Sequence, residues 1–295
     1  MGSHGLGPRV VGLRVVVRYL LDSGSATDVL GVCLSWGDGR CVVQPATGPP
    51  VSIRLSDIVS GKPVPPRASI RDRVSPREAQ HHGFALFPDL VTEPVGDWVL
   101  RGSPTATARR ANSVLAFGPS GVGDDVERVV AHYDRPVAAV LTGSLENQRF
   151  EALGWVPESD DSDTLFQVAG LAQVARALRG VPVPDTAVLT PAPTGGFAAL
   201  RLGDKAWGYA GFDDDWLGFS GIEVHPSHRR RGLGRQVMAA LLGWGAELGA
   251  TTAYLQVLAD NTAALALYED LGFRTHHTYR YLTPSTGRRL SRASH

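Results

Sequence analysis

The sequence predicts an α+β fold, in which helices flank a mixed, mostly antiparallel sheet and a small all-β barrel comes first. Three observations predict this class. Short β-branched runs separated by turn residues fill the first part of the chain, and strand and helix patterns alternate after it. The last third carries a glycine- and arginine-rich turn between a strand and an amphipathic helix. We therefore expect three domains, residues 1–66, 67–182 and 183–295.

The composition is that of a globular protein and argues against several function classes. Of the 295 residues, 43% are hydrophobic and 20% are charged, and 29 basic residues balance 29 acidic ones. This balance provides no overall basic charge for nucleic acid, and no apolar run reaches the ~18 residues of a membrane span. We expect neither a nucleic-acid nor a membrane partner.

The cysteines favour a reducing compartment. Cys33 and Cys41 flank a Gly-Asp-Gly turn, and most hairpin registers across that turn do not set them opposite each other. Two cysteines without Cys-x-x-Cys spacing argue against a disulfide framework and a zinc site. We expect a cytoplasmic protein that holds no metal.

The first 66 residues read as strands and turns. Strands are predicted over residues 10–20, 28–36, 40–44 and 49–55, and the proline-rich stretch 61–66 is expected to be a linker. Strands of this length and spacing favour an SH3-like barrel. A structural or docking role is the simplest one for it, and a tether to nucleic acid or to another protein stays open.

The middle of the chain repeats the order of elements seen at its end. Strands are expected at 98–101, 113–117 and 137–141, with helices from Ser75, over 124–133 and over 146–153. Phe150 to Trp155 then matches Tyr268 to Phe273, but with Phe150 where the later copy has a phenol. The turn 118–123 contains no arginine. We interpret this region as a degenerate half of the same fold.

The final part of the chain has the clearest strand and helix patterns. From residue 168 the sequence predicts these segments in order: a helix over 168–180, a connector over 182–196, a hairpin of strands 197–202 and 205–212, a strand over 216–224, a helix from 233, strands over 252–258 and 279–283, and a disordered tail from 284.

The turn between strand 216–224 and the following helix predicts an anion site. Residues 228–235, here called the arginine–glycine loop, read His-Arg-Arg-Arg-Gly-Leu-Gly-Arg. The first amides of a helix have no intrahelical partner, and the helix dipole adds positive charge there. Gly232 and Gly234 let the backbone approach an anion closely. We interpret the loop as a binding site for a diphosphate.

The loop resembles one protein family more than any general nucleotide fingerprint. It lacks the Lys-Ser/Thr of a P-loop and the third glycine of G-x-G-x-x-G. Arg229-x-x-Gly232-x-Gly234 is similar to the pyrophosphate loop of the GNAT superfamily of acyl-CoA-dependent N-acetyltransferases. The later run Asn261-x-x-Ala264-x-x-x-Tyr268-x-x-Leu271-Gly272-Phe273 resembles the second signature of that family. The chain is also similar to actinobacterial GNAT proteins with an SH3-like N-terminal domain.

The resemblance implies a GNAT fold and acetyl-CoA as cosubstrate. Backbone groups near Ile222 to Val224 would hold the pantetheine and the thioester carbonyl, and Asn261 would contact the pantetheine arm. The residues that the resemblance assigns to acetyl-CoA are Ile222, Val224, Arg229, Arg230, Arg231, Gly232, Leu233, Gly234, Arg235, Asn261 and Tyr268.

The resemblance assigns catalysis to Tyr268 and leaves the base open. A phenol with a pKa near 10 can give a proton to the departing thiolate. The strand position where several relatives carry a glutamate is Gly218 here, so Glu223 is the nearest acid on that strand. Residues 213–215, His225 and a water relay are the alternatives. His276 and His277 are expected to be surface residues.

The function expected from these residues is acetyl transfer from acetyl-CoA to a primary amine in a ternary complex. The amine would belong to a small molecule, a protein lysine or a protein N-terminus. The alternative is an acyl-CoA-binding sensor or interaction protein without turnover. Loops outside both motifs choose the acceptor, so the sequence leaves the acceptor and the oligomeric state open.

Overall fold

The computed structural model shows two compact units, residues 1–73 and 74–295. Within these units, the residues that the structure describes are 6–45, 47–64, 70–160, 163–193 and 195–285. The tail that we expected to be disordered lies outside the described residues from position 286 onward. Among the described residues, no helix is long and apolar enough to cross a membrane.

The first unit is one five-stranded antiparallel sheet. Its strands are β1 (Arg14–Leu20), β2 (Ala26–Gly37), β3 (Arg40–Pro45), β4 (Val51–Arg54) and β5 (Ile58–Pro63). They lie in the order β4-β3-β2-β1-β5. Our reading of residues 61–66 as a linker was wrong for 61–63, because Gly61 pairs with Val17 inside the sheet.

Both cysteines lie in the core of this unit as free thiols. The register pairs Cys33 with Val43 and Cys41 with Trp36, so the two are not directly opposite, as the turn predicted. The register of β2 shifts between Cys33 and Ser35, and the Cys33 thiol donates to the Ser35 carbonyl at 3.5 Å. Burial raises the pKa of the Cys41 thiol to about 11, so this thiol stays protonated.

The second unit contains the remaining helices and strands. They are α1 (Pro76–His82), β6 (Val91–Val95), β7 (Trp98–Gly102), β8 (Ser113–Leu115), α2 (Asp125–His132), β9 (Ala138–Leu141), α3 (Leu145–Ala152), β10 (Trp155–Pro157), β11 (Thr164–Gly170), α4 (Leu171–Ala177), β12 (Val188–Pro191), β13 (Phe197–Leu202), β14 (Ala206–Asp213), β15 (Trp216–Val224), α5 (Leu233–Glu247), β16 (Thr252–Leu258), α6 (Thr262–Asp270) and β17 (Arg274–Pro284).

These twelve strands form a single sheet. Eleven of them follow the order β12-β13-β14-β15-β16-β11-β17-β9-β8-β7-β6, and β10 pairs with β17. Among the described strands, only β8–β9 and β15–β16 pair in parallel. Each parallel pair is connected by one helix, α2 or α5.

The two halves exchange their last strands. β11, from the first half, lies between β16 and β17, whereas β17, from the second half, lies between β11 and β9. The strands of residues 183–295 are therefore not contiguous in the sheet, because β11 lies between β16 and β17. We placed the division at 182/183 because the order of elements is predicted to repeat there. In the structure, strands from both sides of that division belong to one continuous sheet.

Two further segments differ from expectation. Residues 168–170 belong to β11, and the helix expected over 168–180 covers only Leu171–Ala177, because β11 pairs with strands on both of its edges. Our placement of His277 on the surface was also wrong. It lies in β17, 8% exposed, and its ring stacks on Phe166 at 4.7 Å. Burial lowers its pKa to about 3, so it is neutral at physiological pH.

Candidate functional site

The parallel strands β15 and β16 separate part-way along their length. They pair only from Trp216 with Thr252 to Phe219 with Leu255. Both strands continue past that point, β15 to Val224 and β16 to Leu258. Their facing backbone groups are therefore not paired with each other beyond Phe219. This gap is called the strand opening below.

A β-bulge lies at the strand opening. In β15, Gly221 and Ile222 stand opposite the single residue Gly208. Gly221 has a φ of 56°, a conformation that favours glycine. Gly208 is also required, because a Cβ there would come within 2.6 Å of Ile222 Cδ1. The bulge turns the backbone of Ile222 to Val224 relative to the rest of the strand.

The arginine–glycine loop connects this strand to α5 and presents unpaired amides. Gly232, with a φ of 77°, is the N-cap of α5 and offers no side-chain acceptor to the first helical turn. Arg230 also has a positive φ, of 63°. Since the first amides of a helix cannot bond within it, those of Leu233 and Gly234 remain available to an anion.

The arginines of the loop have different environments. Arg229, Arg230 and Arg231 are exposed, and Arg229 Nε donates to Val224 O at 3.4 Å. Arg235 instead forms an ion pair with Asp270 of α6, at 3.0 Å. Three exposed arginines thus directly precede the start of α5 in the loop, and Arg235 connects α5 to α6.

Helix α6 carries the two other residues that we expected at the site. Asn261 is its N-cap, and its Oδ1 accepts from the Ala264 amide at 3.2 Å, which leaves its Nδ2 as a donor. Tyr268 is half-buried, with its ring edge-on to Phe273 at 5.9 Å. Burial raises the pKa of its phenol, and the charge of Arg110 opposes this. The phenol is therefore protonated at neutral pH.

The candidate bases are not equally available. Glu223 is exposed on β15 and has no ion pair or hydrogen bond with the described side chains. Asp213 forms an ion pair with His82 at 2.7 Å, and the Asp215 carboxylate accepts from the Thr251 hydroxyl while its backbone carbonyl accepts from the Thr251 amide. Glu223 is thus less engaged than Asp213 and Asp215, while Asp214 is exposed in the turn before β15.

His225, the other candidate base, is hydrogen-bonded within its own turn. Its Nδ1 lies 2.8 Å from Ser227 Oγ, which in turn lies 2.9 Å from His228 Nδ1. This chain of polar groups lies on the surface, immediately before the arginine–glycine loop.

The corresponding place in the first half is filled by the protein itself. The Asp125 carboxylate, 0% exposed, accepts from the Val126 amide at 2.7 Å and pairs with Arg149 at 2.6 Å. The Ser120 hydroxyl also donates to it. An internal anion thus occupies the start of α2, where the second half leaves amides free. Phe150, the counterpart of Tyr268, is fully buried against Trp98.

Several residues near the site belong to no sequence motif, so they were not predicted from the sequence. Residues 74–87, which include α1, pack on the sheet face opposite α5, where Tyr254 donates to the backbone carbonyl of His82 at 2.7 Å. Arg110 Nη1 donates to Gln256 O at 3.4 Å, at the strand opening. Nothing in the spacing of the sequence connects residues so far apart along the chain.

The mixed-sheet fold described above is also found in a solved structure. A GCN5-related N-acetyltransferase from Kribbella flavida superposes with a TM-score of 0.53 at 17% identity, over 75% of this chain and 98% of that one. That similarity concerns the fold.

Comparison with known families is more specific. A family model described as "Probable histone acetyltransferase Rv0428c C-terminal" matches residues 184–282, and one described as "Rv0428c N-terminal Sm-like domain" matches residues 9–62. The N-terminal unit is thus similar to an Sm-like domain, and the SH3-like assignment is not confirmed.

Curated relatives extend this match to the whole chain. The chain is 30% identical to the probable histone acetyltransferase Rv0428c of Mycobacterium tuberculosis, over 92% of this chain and 95% of that one. It is also 42% identical over 65 residues to the ribosomal protein bS18-alanine N-acetyltransferase of Escherichia coli, 22% of this chain and 44% of that one. The chain therefore belongs to the GNAT family of N-acetyltransferases.

Proposed function

We propose that the protein transfers the acetyl group of acetyl-CoA to a primary amine by direct attack in a ternary complex. The neutral amine attacks the thioester carbonyl, so that a C–N bond forms and the C–S bond breaks. The nitrogen loses a proton to a base or to water, and the departing thiolate takes one from Tyr268. The products are an N-acetylated amine and free CoA, and solvent restores the proton of the phenol.

The observation that carries this proposal is the position of the arginine–glycine loop at the end of the strand opening. Free amides of α5 and the guanidinium groups of Arg229, Arg230 and Arg231 suit a diphosphate. The unpaired edges of β15 and β16 lead away from it. An extended arm attached to the diphosphate would bind along those edges, with its thioester beside the sheet.

The individual roles follow from the same geometry. Backbone groups of Ile222 to Val224 would bind the arm and polarise the thioester carbonyl. The Asn261 amide group would donate to the arm, and Tyr268 would act as general acid with its protonated phenol. Glu223, exposed and unengaged, is the proposed base or acceptor contact, and a water relay is its alternative.

The alternative function is an acyl-CoA-binding sensor without turnover. It is favoured by one observation: no side chain stands at Gly218, the strand position where the resemblance places a glutamate in several relatives. The half-buried phenol of Tyr268 favours the enzyme. We therefore keep the enzyme as the main proposal.

The acceptor is proposed only as a class at this point. One relative is described as a probable histone acetyltransferase and another as acting on an alanine of a ribosomal protein. An amine of a small molecule, a protein lysine or a protein N-terminus is thus the range to test. The free buried thiols of Cys33 and Cys41 support a reducing, cytoplasmic setting.

Calorimetric titration with acetyl-CoA tests the proposal directly. We expect saturable binding by the full chain and its loss in the double variant Arg229→Ala/Gly232→Glu, which removes a cation and places a carboxylate in the anion site. Arg176→Ala, an exposed arginine on α4, is the matched control and should bind normally. Release of free CoA in the presence of amines then separates enzyme from sensor. Absence of binding by the folded wild-type chain would refute both.

A further inference from the structure

A cavity adjoins the strand opening on the sheet face opposite α5. It has a volume of about 260 Å³, and its polar lining consists of Arg109, Arg110, Thr164, Gln256, Tyr279 and Tyr281. Strand alternation fixes the face. Leu255 and Val257 pack in the core with α5, so the side chain of Gln256 points to the other side of the sheet.

Arg110 connects this cavity to the reacting end of the site. Its Nη1 donates to Gln256 O at 3.4 Å, and Gln256 is the first residue of β16 beyond the last pair with β15. The charge of Arg110 also acts on the phenol of Tyr268. The cavity therefore lies beside the place where the thioester and the general acid would meet, and the arginine–glycine loop lies on the other face.

The lining carries positive charge that the described residues do not neutralise. No described carboxylate lines the cavity. Arg109 is paired with Glu158 at 2.9 Å and stacks on the Tyr281 ring at 4.8 Å, so its charge is balanced. Arg110, by contrast, has no ion pair with any described carboxylate, and among the described residues it donates to the backbone carbonyl of Gln256.

A second cation lies behind the two tyrosines. Arg101 is 2% exposed, and its guanidinium donates only to Ser113, at 3.1 Å to the carbonyl and 2.8 Å to the hydroxyl. Like Arg110, it has no carboxylate partner among the described residues. Charges held out of water without a counterion are costly, and an anion bound nearby offsets part of that cost.

We propose, on the basis of the acetyltransferase function above, that this cavity binds the anionic group of the acceptor. The acceptor would then be a small amine that also carries a carboxylate or a phosphate, with Arg110 as the residue that binds the anion. A lysine within a basic peptide would place further positive charge beside Arg110 and is therefore disfavoured. The cavity volume suits a small molecule better than a peptide segment.

Matched acceptors test the proposal in the full chain with acetyl-CoA present. Amino acids are compared with their amides, and 2-aminoethyl phosphate with ethanolamine, over a pH range that equalises the neutral-amine fraction. A lysine-containing basic peptide is a further arm. We expect kcat/KM to be at least about 10-fold higher for the anionic member of a pair, as one charged hydrogen bond supplies. The amino acid pairs test recognition of a carboxylate, and the 2-aminoethyl phosphate pair tests recognition of a phosphate.

Substitution of Arg110 identifies the residue responsible. In Arg110→Ala we expect KM for anionic acceptors to rise about 10- to 100-fold relative to the KM for neutral amines, in a variant that still binds acetyl-CoA. Arg110→Lys should restore most of the loss, and Arg176→Ala should change nothing. Thermal unfolding of each variant detects any fold defect, and Arg110→Lys keeps the test informative if Arg110→Ala unfolds.

Two outcomes are distinguishable. A protein that binds acetyl-CoA but prefers neutral amines or the basic peptide, or whose anion preference survives in Arg110→Ala, would overturn this inference and leave the acetyltransferase function intact. A folded protein that does not bind acetyl-CoA would overturn the proposed function itself.

Discussion

The ring of Tyr254 occupies the space that a side chain on Gly218 would need. A Cβ built on Gly218 would lie 2.2 Å from Tyr254 Cζ and 2.3 Å from its hydroxyl oxygen. The two residues face each other across the parallel pair β15–β16. Tyr254 is fully buried and donates to the His82 carbonyl at 2.7 Å, so its ring is held in place. A glutamate at position 218 is therefore sterically incompatible with this core.

We predict that Gly218→Ala destabilises the protein by about 1–3 kcal/mol, because a methyl group forced into a packed core displaces its neighbours. Gly218→Glu should be worse and should not raise activity. The measurement is urea unfolding. The cost of Gly218→Ala should shrink in a Tyr254→Leu background, since leucine lacks the distal ring atoms. Equal costs in both backgrounds would show that Tyr254 is not the obstacle.

Tyr268→Phe should separate the enzyme from the sensor. Loss of a general acid lowers kcat by about 10²- to 10⁴-fold, while acetyl-CoA binding should be retained. The folded-state pKa of this phenol is raised by burial, so the acid form is lost only as pH rises through that raised value. Activity limited by Tyr268 should therefore persist through pH 9.

CoA release against pH, with calorimetry for binding, checks this prediction. Tyr19→Phe, in the N-terminal unit, is the matched control and should keep full activity. Turnover by Tyr268→Phe at the wild-type rate would remove the phenol from the mechanism and would favour another proton source.

Gly232 and Gly243 form a matched pair for the helix start. Gly232 has a φ of 77°, whereas Gly243 lies exposed inside α5 with open space around its Cα. Gly232→Ala should lower the free energy of unfolding by about 1–2 kcal/mol through left-handed strain. It should also weaken acetyl-CoA binding. Gly243→Ala should raise stability by about 0.5–1 kcal/mol and leave binding unchanged. Similar effects of the two substitutions would contradict the proposed loop geometry.

Three of the strands that the sequence did not predict, β5, β6 and β12, share a physical cause. β6 and β12 are the outer strands of the large sheet and β5 is an edge of the small one, and they contain Pro94, Pro191 and Pro63 respectively. Proline indicates a loop in a single sequence, but it is compatible with an edge strand, where an outward N–H needs no partner. The arginine–glycine loop and α5 could be predicted because both are encoded within a few adjacent residues.

The remaining features of the site depend on contacts between distant segments. The position of Arg110 beside Gln256 and the burial of His277, which Gln80 of α1 contacts at 3.2 Å, arise only when these distant segments pack together. The exchange of β11 and β17 likewise has no local pattern, since either strand could pair within its own half. Such relationships are decided by packing in three dimensions.

Asp125 should make the stability of the second unit depend on pH. Burial alone would raise the pKa of its carboxyl, but hydrogen bonds from Arg149, Ser120 and the Val126 amide outweigh burial and lower the pKa. A carboxyl whose pKa is lower in the folded state stabilises the protein at pH values above its unfolded-state pKa, which is near 3.9. That contribution is lost as the pH falls through the folded-state pKa. We therefore expect Asp125→Asn to lose about 1–3 kcal/mol at pH 7.

The loss in Asp125→Asn should shrink on acidification below about pH 4, because the wild type then loses the same charge. Urea unfolding followed by tryptophan fluorescence at pH 7, 5 and 3 measures this difference. Asp204→Asn, in the exposed β13–β14 turn, is the matched control and should show no such dependence. A constant difference at all three pH values would mean that the carboxylate charge does not stabilise this half. The internal anion at α2 would then be a packing feature, and the contrast with the free amides of α5 would lose its electrostatic basis.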